Sequence, residues 1–251
     1  MRLVAFITEG TQIVKILSHI GVDPEPHSPE QQTLVVNLAE PGRCGGKSSA
    51  SGRSRALSRC ATWPHVVKNL IRILLDTNHP AGDFKGSIGT AQLEWLESLL
   101  AEVDAQPGRL VVLASHHGSV LLTNTRGADP LRMHAAALTA IAHRHPCVVA
   151  WLVGHRHLHE IRSHPGPNGG FWEITTGSVI DWSSQTRAVE FVRHADGLLE
   201  IVCILQDHEA PEGSLAQLQH HLARHFAGDL WGRLQGRPED GNMLLLQEFA
   251  N

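Results

Sequence analysis

Three short apolar runs in the middle of the chain, each ending in polar residues, constrain the fold more than any other feature. They are LIRILLDT (70–77), RLVVLASHHG (109–118) and CVVAWLVGHRHLHEI (147–161). Apolar runs of about six residues closed by polar or glycine signals predict strands buried on both faces. Between the first two lies GTAQLEWLESLLAEVDAQPG, with Leu93, Leu96, Leu100 and Val103 at helical spacing. Thr90 is the predicted cap of this helix, and Pro107-Gly108 ends it. Between the second and third runs, DPLRMHAAALTAIAHRH predicts another helix, with Asp129 as N-cap and Pro130 at its first position. Three more strand patterns follow with little helix between them: GFWEITTG, RAVEFVRH and LLEIVCILQD, the last two joined by the hairpin signal ADG. The predicted order is strand-helix-strand-helix-strand and then strands alone, an α/β layer followed by an antiparallel part. SLAQLQHHLARHFAGDLWGRL (214–234) reads as an amphipathic helix.

The flanking segments differ in character. Residues 1–30 read as strand, turn and short helix, with Gly21 as a C-cap. NLAEPGRCGGKSSASGRSRALSRCATWPH (37–65) lacks hydrophobic periodicity and is rich in Gly, Ser and Arg, the composition of a linker. The expected organisation is therefore a small segment at 1–30, a flexible linker at 31–68, a main domain at 69–210 and a C-terminal helical tail at 211–251. Hydrophobic residues make up 42% of the 251 and charged ones 18%, which places the chain among globular proteins. Its net charge of −4 argues against a general nucleic-acid partner. Cys44, Cys60, Cys147 and Cys203 have no C-x-x-C spacing and read as reduced thiols. No transmembrane or signal-peptide pattern is present, so no membrane partner and a cytoplasmic location are expected.

Both histidine clusters fall at the C-terminal ends of predicted strands, where open α/β sheets place their sites. Side chains two apart on a strand share a face, so His155, His157 and His159 can converge on one centre. His116 and His117 belong to the neighbouring strand end. Imidazole suits zinc, iron, manganese and nickel; a solvated histidine patch is the alternative reading.

A strand ending in S-H-H, a helix, and a strand ending in G-H-x-H resemble the second half of the calcineurin-like metallophosphoesterases. The resemblance extends to a bacterial subgroup through LLDTNHPAGDFKGSIGTAQLEWLESLL, VVLASHHG, VAWLVGHRHLHEI and GFWEITTGSVIDWSSQTRAVEF, covering roughly residues 70–210. It implies a two-sheet sandwich flanked by helices and a phosphoester hydrolase using two divalent ions (Mn, Fe or Zn). It also implies that His116 and His155 ligate one metal and His157 the other, with His117 near a small phosphoester substrate as a catalytic group; His159 is left out. The family's D-x-H, G-D-x-x-D/N and G-N-H-D/E motifs are absent from this sequence. The expectation is thus a metallophosphoesterase-like fold without its N-terminal half, one metal or none, and weak or no turnover. A non-catalytic metal-binding or partner-dependent remnant of a gene fusion is the alternative. MRLVAFITEGTQIVKILSHIGVDPEP (1–26) resembles the tail of an insertion-sequence transposase family.

Among the remaining residues, Trp95, Trp151, Trp172 and Trp182 are expected to pack the core or its rim. Asp181 either orients a histidine or caps a turn. His143, His145, His220, His221 and His225 read as solvated helix surface, and Arg43, Arg53, Arg55 and Arg59 as solvated linker charges. Oligomeric state is not legible.

Overall fold

The computed structural model describes residues 32–36, 64–67, 69–194, 197–228 and 231–248. The segment expected at 1–30 lies outside the described residues, as do most of the expected linker and Cys44 and Cys60. The chain divides into two compact units, one of residues 1–2, 40–155 and 162–174, the other of 3–39, 156–161 and 175–251.

The first unit is built on a six-stranded sheet. Its strands in chain order are β2 (Pro64–Val67), β3 (Leu70–Leu75), β5 (Leu110–Ser115), β7 (Val148–Val153), β8 (Glu160–His164) and β9 (Phe171–Thr175). Their order across the sheet is β2-β3-β5-β7-β9-β8. β3, β5 and β7 run parallel, and β2 is antiparallel to β3. Every residue of β5 and β7 is buried, as the unbroken apolar runs predict for strands covered on both faces. The helices α1 (Thr90–Asp104) and α2 (Ala135–Arg144) bury Leu93, Leu96, Leu100, Val103, Leu138 and Ile141 in one core with Ile71, Ile73, Val111, Leu113 and Trp151. Each such aliphatic side chain contributes about 1.5–3 kcal/mol on burial.

Both helix starts differ from expectation for the same tertiary reason. Ile88–Gly89 (β4) and Arg132–Met133 (β6) pair antiparallel. The N-cap of α1 is therefore Gly89, and the Thr90 backbone N–H donates to the Leu131 carbonyl at 2.9 Å, where a side-chain cap was expected. The same pairing delays α2 to Ala135, with His134 as its N-cap. Asp129 closes a turn instead, its Oδ1 accepting from Leu131 N at 2.9 Å. An Asp-Pro pair serves a turn as well as a helix start, and strand pairing decided between them.

The second unit holds a four-stranded sheet in the order β1-β10-β11-β12, antiparallel throughout. β1 (Gln32–Val36) falls within the span expected to be linker. β10 (Thr186–Arg193) and β11 (Leu198–Gln206) form the expected hairpin, with Gly197 at φ 87°. Ser214 caps α3 (Leu215–Ala227), its hydroxyl accepting from Gln217 N at 3.1 Å. After the short α4 (Trp231–Leu234), the span expected to be a helical tail ends in a strand, β12 (Met243–Glu248). Leu245 is buried there while Leu244 and Leu246 are exposed, the period-two pattern of a half-buried strand. Cys147 and Cys203 are free, buried thiols. Among the described residues, no helix is long and apolar enough to cross a membrane.

Candidate metal centre

Strand register brings the first histidines together. β5 and β7 are parallel neighbours with Ser115 opposite Val153. The residues just beyond each strand therefore lie side by side, and Gly154 N donates to the His116 carbonyl at 3.3 Å. His155 then turns back with φ 67°, a left-handed backbone that a side chain with a Cβ adopts at a cost of about 1–2 kcal/mol. That turn sets His155 Nδ1 2.7 Å from His116 Nε2. The His117 ring centroid lies 4.8 Å from that of His116 and 4.5 Å from that of His155. Among the described residues, these three are the one group of three or more metal-binding side chains with ligand atoms within 4.8 Å of one another.

The histidine turn is fastened from three sides. Ser115, fully buried, accepts from Trp151 Nε1 at 2.8 Å and donates to the His117 carbonyl at 2.9 Å. β3 lies beside β5 with Leu75 opposite Ser115, so Thr77, two residues on, reaches His117. Thr77 Oγ1 accepts from His117 N at 3.1 Å and stands 2.9 Å from its Nδ1. On the other side, Ser119 N donates to Glu173 Oε1 at 2.9 Å. Burial first, then the neighbouring His155, pushes the His117 pKa down to about 4, so its ring is neutral at pH 7.

The remaining histidines of GHRHLHEI do other things, and the shared strand face expected for them does not form. Residues 154–159 are a loop, with His157 also left-handed at φ 51°. His157 Nδ1 pairs with Asp181 Oδ2 at 2.5 Å, the first of the two roles considered for that carboxylate. His159 is buried: its Nδ1 accepts from Gly177 N at 3.2 Å, and its Nε2 lies 3.1 Å from Ser183 Oγ and Gln185 Oε1. Burial, then the nearby Arg187, pushes the pKa of His159 down to about 4.

Of the histidines read as solvated, His145 is buried instead, its Nδ1 bound to Asp104 Oδ2 at 2.7 Å. Sequence reasoning passed over Thr77 and Glu173. The signal for Glu173 was an acid on the inward-facing register of an apolar strand.

The donor set fits a cation. His155 Nδ1 and His116 Nε2 are hydrogen-bonded at 2.7 Å, and loss of the shared proton with a small widening to the roughly 3–3.4 Å between two ligands about 2.1 Å from one ion would turn both nitrogens to a cation. The group contains no carboxylate, so the charge of any ion is left for other ligands to balance.

No family model matches the chain. Over 122 residues it is 30% identical to a manganese-dependent ADP-ribose/CDP-alcohol diphosphatase of Xenopus tropicalis, covering 45% of this chain and 33% of that protein. The Xenopus laevis protein of the same description is 28% identical over 122 residues, covering 45% and 32%. The chain thus spans about a third of the length of the curated relatives it matches. The crystal structure of a dimetal phosphatase from Danio rerio aligns at 18% identity and a TM-score of 0.38, over 55% of each chain.

Proposed function

We propose that this chain carries the histidine side of a metal-assisted phosphoester-hydrolysis site. His116 and His155 hold a divalent cation (Mn, Fe or Zn), His157 serves a second, and His117 meets the substrate. The observation that carries this reading is the 2.7 Å approach of His155 Nδ1 to His116 Nε2 at the ends of two adjacent parallel strands. The substrate class is a small phosphoester, of the kind in the relatives' names, ADP-ribose and CDP-alcohols.

A divalent cation supplies Lewis acidity toward phosphoryl oxygens and lowers the pKa of bound water. The chain's own residues do the rest. His116 and His155 present ring nitrogens on a turn whose backbone is fixed by Ser115, Thr77 and Glu173. Asp181 orients the His157 ring from its Nδ1 side, leaving Nε2 as the ligand atom. His117, neutral at pH 7, brings no positive charge to repel a metal and offers a hydrogen bond to a phosphoryl oxygen.

A second reading is favoured by the absence of a carboxylate from the cluster: a single, weakly held cation with little or no turnover. Elemental analysis of the folded full chain, with Mn²⁺-dependent hydrolysis of ADP-ribose, separates the two. Near-stoichiometric metal and a hydrolysis rate that His155→Ala abolishes support the enzyme. Metal without turnover supports the second reading, and failure to retain any of the three metals refutes both.

A further inference from the structure

Glu173 is a carboxylate in the interior of the first unit, 3% exposed, on β9. Both its oxygens are engaged. Oε1 accepts from Ser119 N at 2.9 Å, and Oε2 from His164 Nε2 at 2.7 Å. His164 is itself fixed by stacking on Phe171, with ring centroids 4.7 Å apart and planes at 9°. An isolated buried carboxylate would be raised in pKa. Here burial raises it, but the hydrogen bonds from His164 and Ser119 outweigh burial and hold it below the usual carboxylate range. The side chain is therefore an anion anchored at both ends.

The residue between His117 and Ser119 is shaped around this anion. A Cβ on Gly118 would stand 2.2 Å from Glu173 Oε1 and 3.0 Å from Val153 Cγ2. The glycine in SHHG is required by close approach, since it lets the backbone after the two histidines lie directly on the carboxylate. Ser115 and Thr77 reach the turn at His117, while Glu173 holds its far end at Ser119, two residues beyond, beside the Leu121 and Leu122 N–H groups that donate to the Gly118 carbonyl.

We infer that Glu173 is a positioning residue for the histidine centre, acting through Ser119 and Gly118 to fix the direction of the His116 and His117 rings. It touches neither metal nor substrate. The inference rests on the proposed function for its consequence, metal affinity, but its structural content is testable without a metal.

The test uses the full chain as Glu173→Ala, Glu173→Gln and Gly118→Ala, read two ways. In metal-free protein, ¹H–¹⁵N spectra of the imidazoles report ring environment. Glu173→Ala and Gly118→Ala should displace His116 and His117 while leaving His159 in place, and Glu173→Gln, which keeps an acceptor for Ser119 N, should displace them less. In titrations with Mn²⁺ alone, Glu173→Ala and Gly118→Ala should weaken binding tenfold or more, the usual effect of removing a group that supports a ligand. Should Glu173→Ala not fold, Gly118→Ala carries the same test with the carboxylate present. Unmoved His116 and His117 resonances in a folded variant overturn the inference. A wild-type chain that binds no Mn²⁺ refutes the proposed function alone, because the ring spectra still decide on Glu173.

Discussion

Replacing Thr77 with valine changes little in volume and removes one hydroxyl, and that hydroxyl sits at a junction. Thr77 is 1% exposed, and its oxygen has two partners on the same residue, His117 N at 3.1 Å and His117 Nδ1 at 2.9 Å. His117 is 3% exposed, so no water replaces either bond. A buried polar group left without a partner costs about 1–3 kcal/mol; His117 N is orphaned here, while the ring keeps hydrogen bonds to the Phe84 and Thr77 backbone. Shape is conserved, so no cavity term adds to this. The expected loss is about 2 kcal/mol, or about 1 M in urea midpoint for a slope of about 2 kcal/mol per M. Thr77→Ser keeps the hydroxyl and loses one methyl, at a cost of about 1 kcal/mol. Urea unfolding followed by Trp fluorescence, which includes the buried Trp151 of the same unit, gives the ordering. The reasoning requires valine to be the worse substitution; if serine destabilises as much or more, the hydroxyl does not hold His117.

Three further outcomes are expected. Trp151→Phe should cost about 1–3 kcal/mol, because it leaves Ser115 without the indole donor at 2.8 Å, and Trp151→Ala about 3–5 kcal/mol from the added cavity, both read from urea midpoints. Asp240 is buried, which raises its pKa, but donors from Arg237 and from Ile161 N at 2.7 Å outweigh that and lower it overall. Its stabilisation is therefore fully present above the ordinary carboxylate pKa of about 4 and lost as pH falls through the lower folded value. The stability gap between wild type and Asp240→Asn should accordingly be wide at pH 6 and narrow toward pH 2.5. Asp181→Asn should lower Mn²⁺-dependent hydrolysis roughly tenfold through the His157 ring while moving the urea midpoint little, since Asp181 is exposed; an unchanged rate separates His157 from the site.

Much of this protein was legible from residue pattern. β3, β5 and β7 stand where their apolar runs place them, because an unbroken apolar run suits a strand covered on both faces, all six residues being buried in β5 and β7 and five of six in β3. The 93, 96, 100, 103 spacing names the buried face of α1 residue by residue. The placement of His116, His117 and His155 at strand ends follows from where those runs stop. Local signals failed where a distant partner competed for the same backbone. Thr90 and Asp129 are good caps, yet the β4–β6 pairing satisfied or redirected the groups they would have capped.

What the sequence by itself determined was the α/β order, the buried faces and the candidate residues, since these depend on periodicity and on where it ends. What only the tertiary structure decided was how GHRHLHEI divides. A period of two predicts one shared face, but left-handed turns at His155 and His157 break the strand. They send His155 to His116, His157 to Asp181 and His159 into the interior beside Ser183 and Gln185. These four partners lie 24–39 residues away in sequence, and no local preference for backbone angles encodes such contacts. Register across β5 and β7, and the burial of groups that must find a partner, selected them.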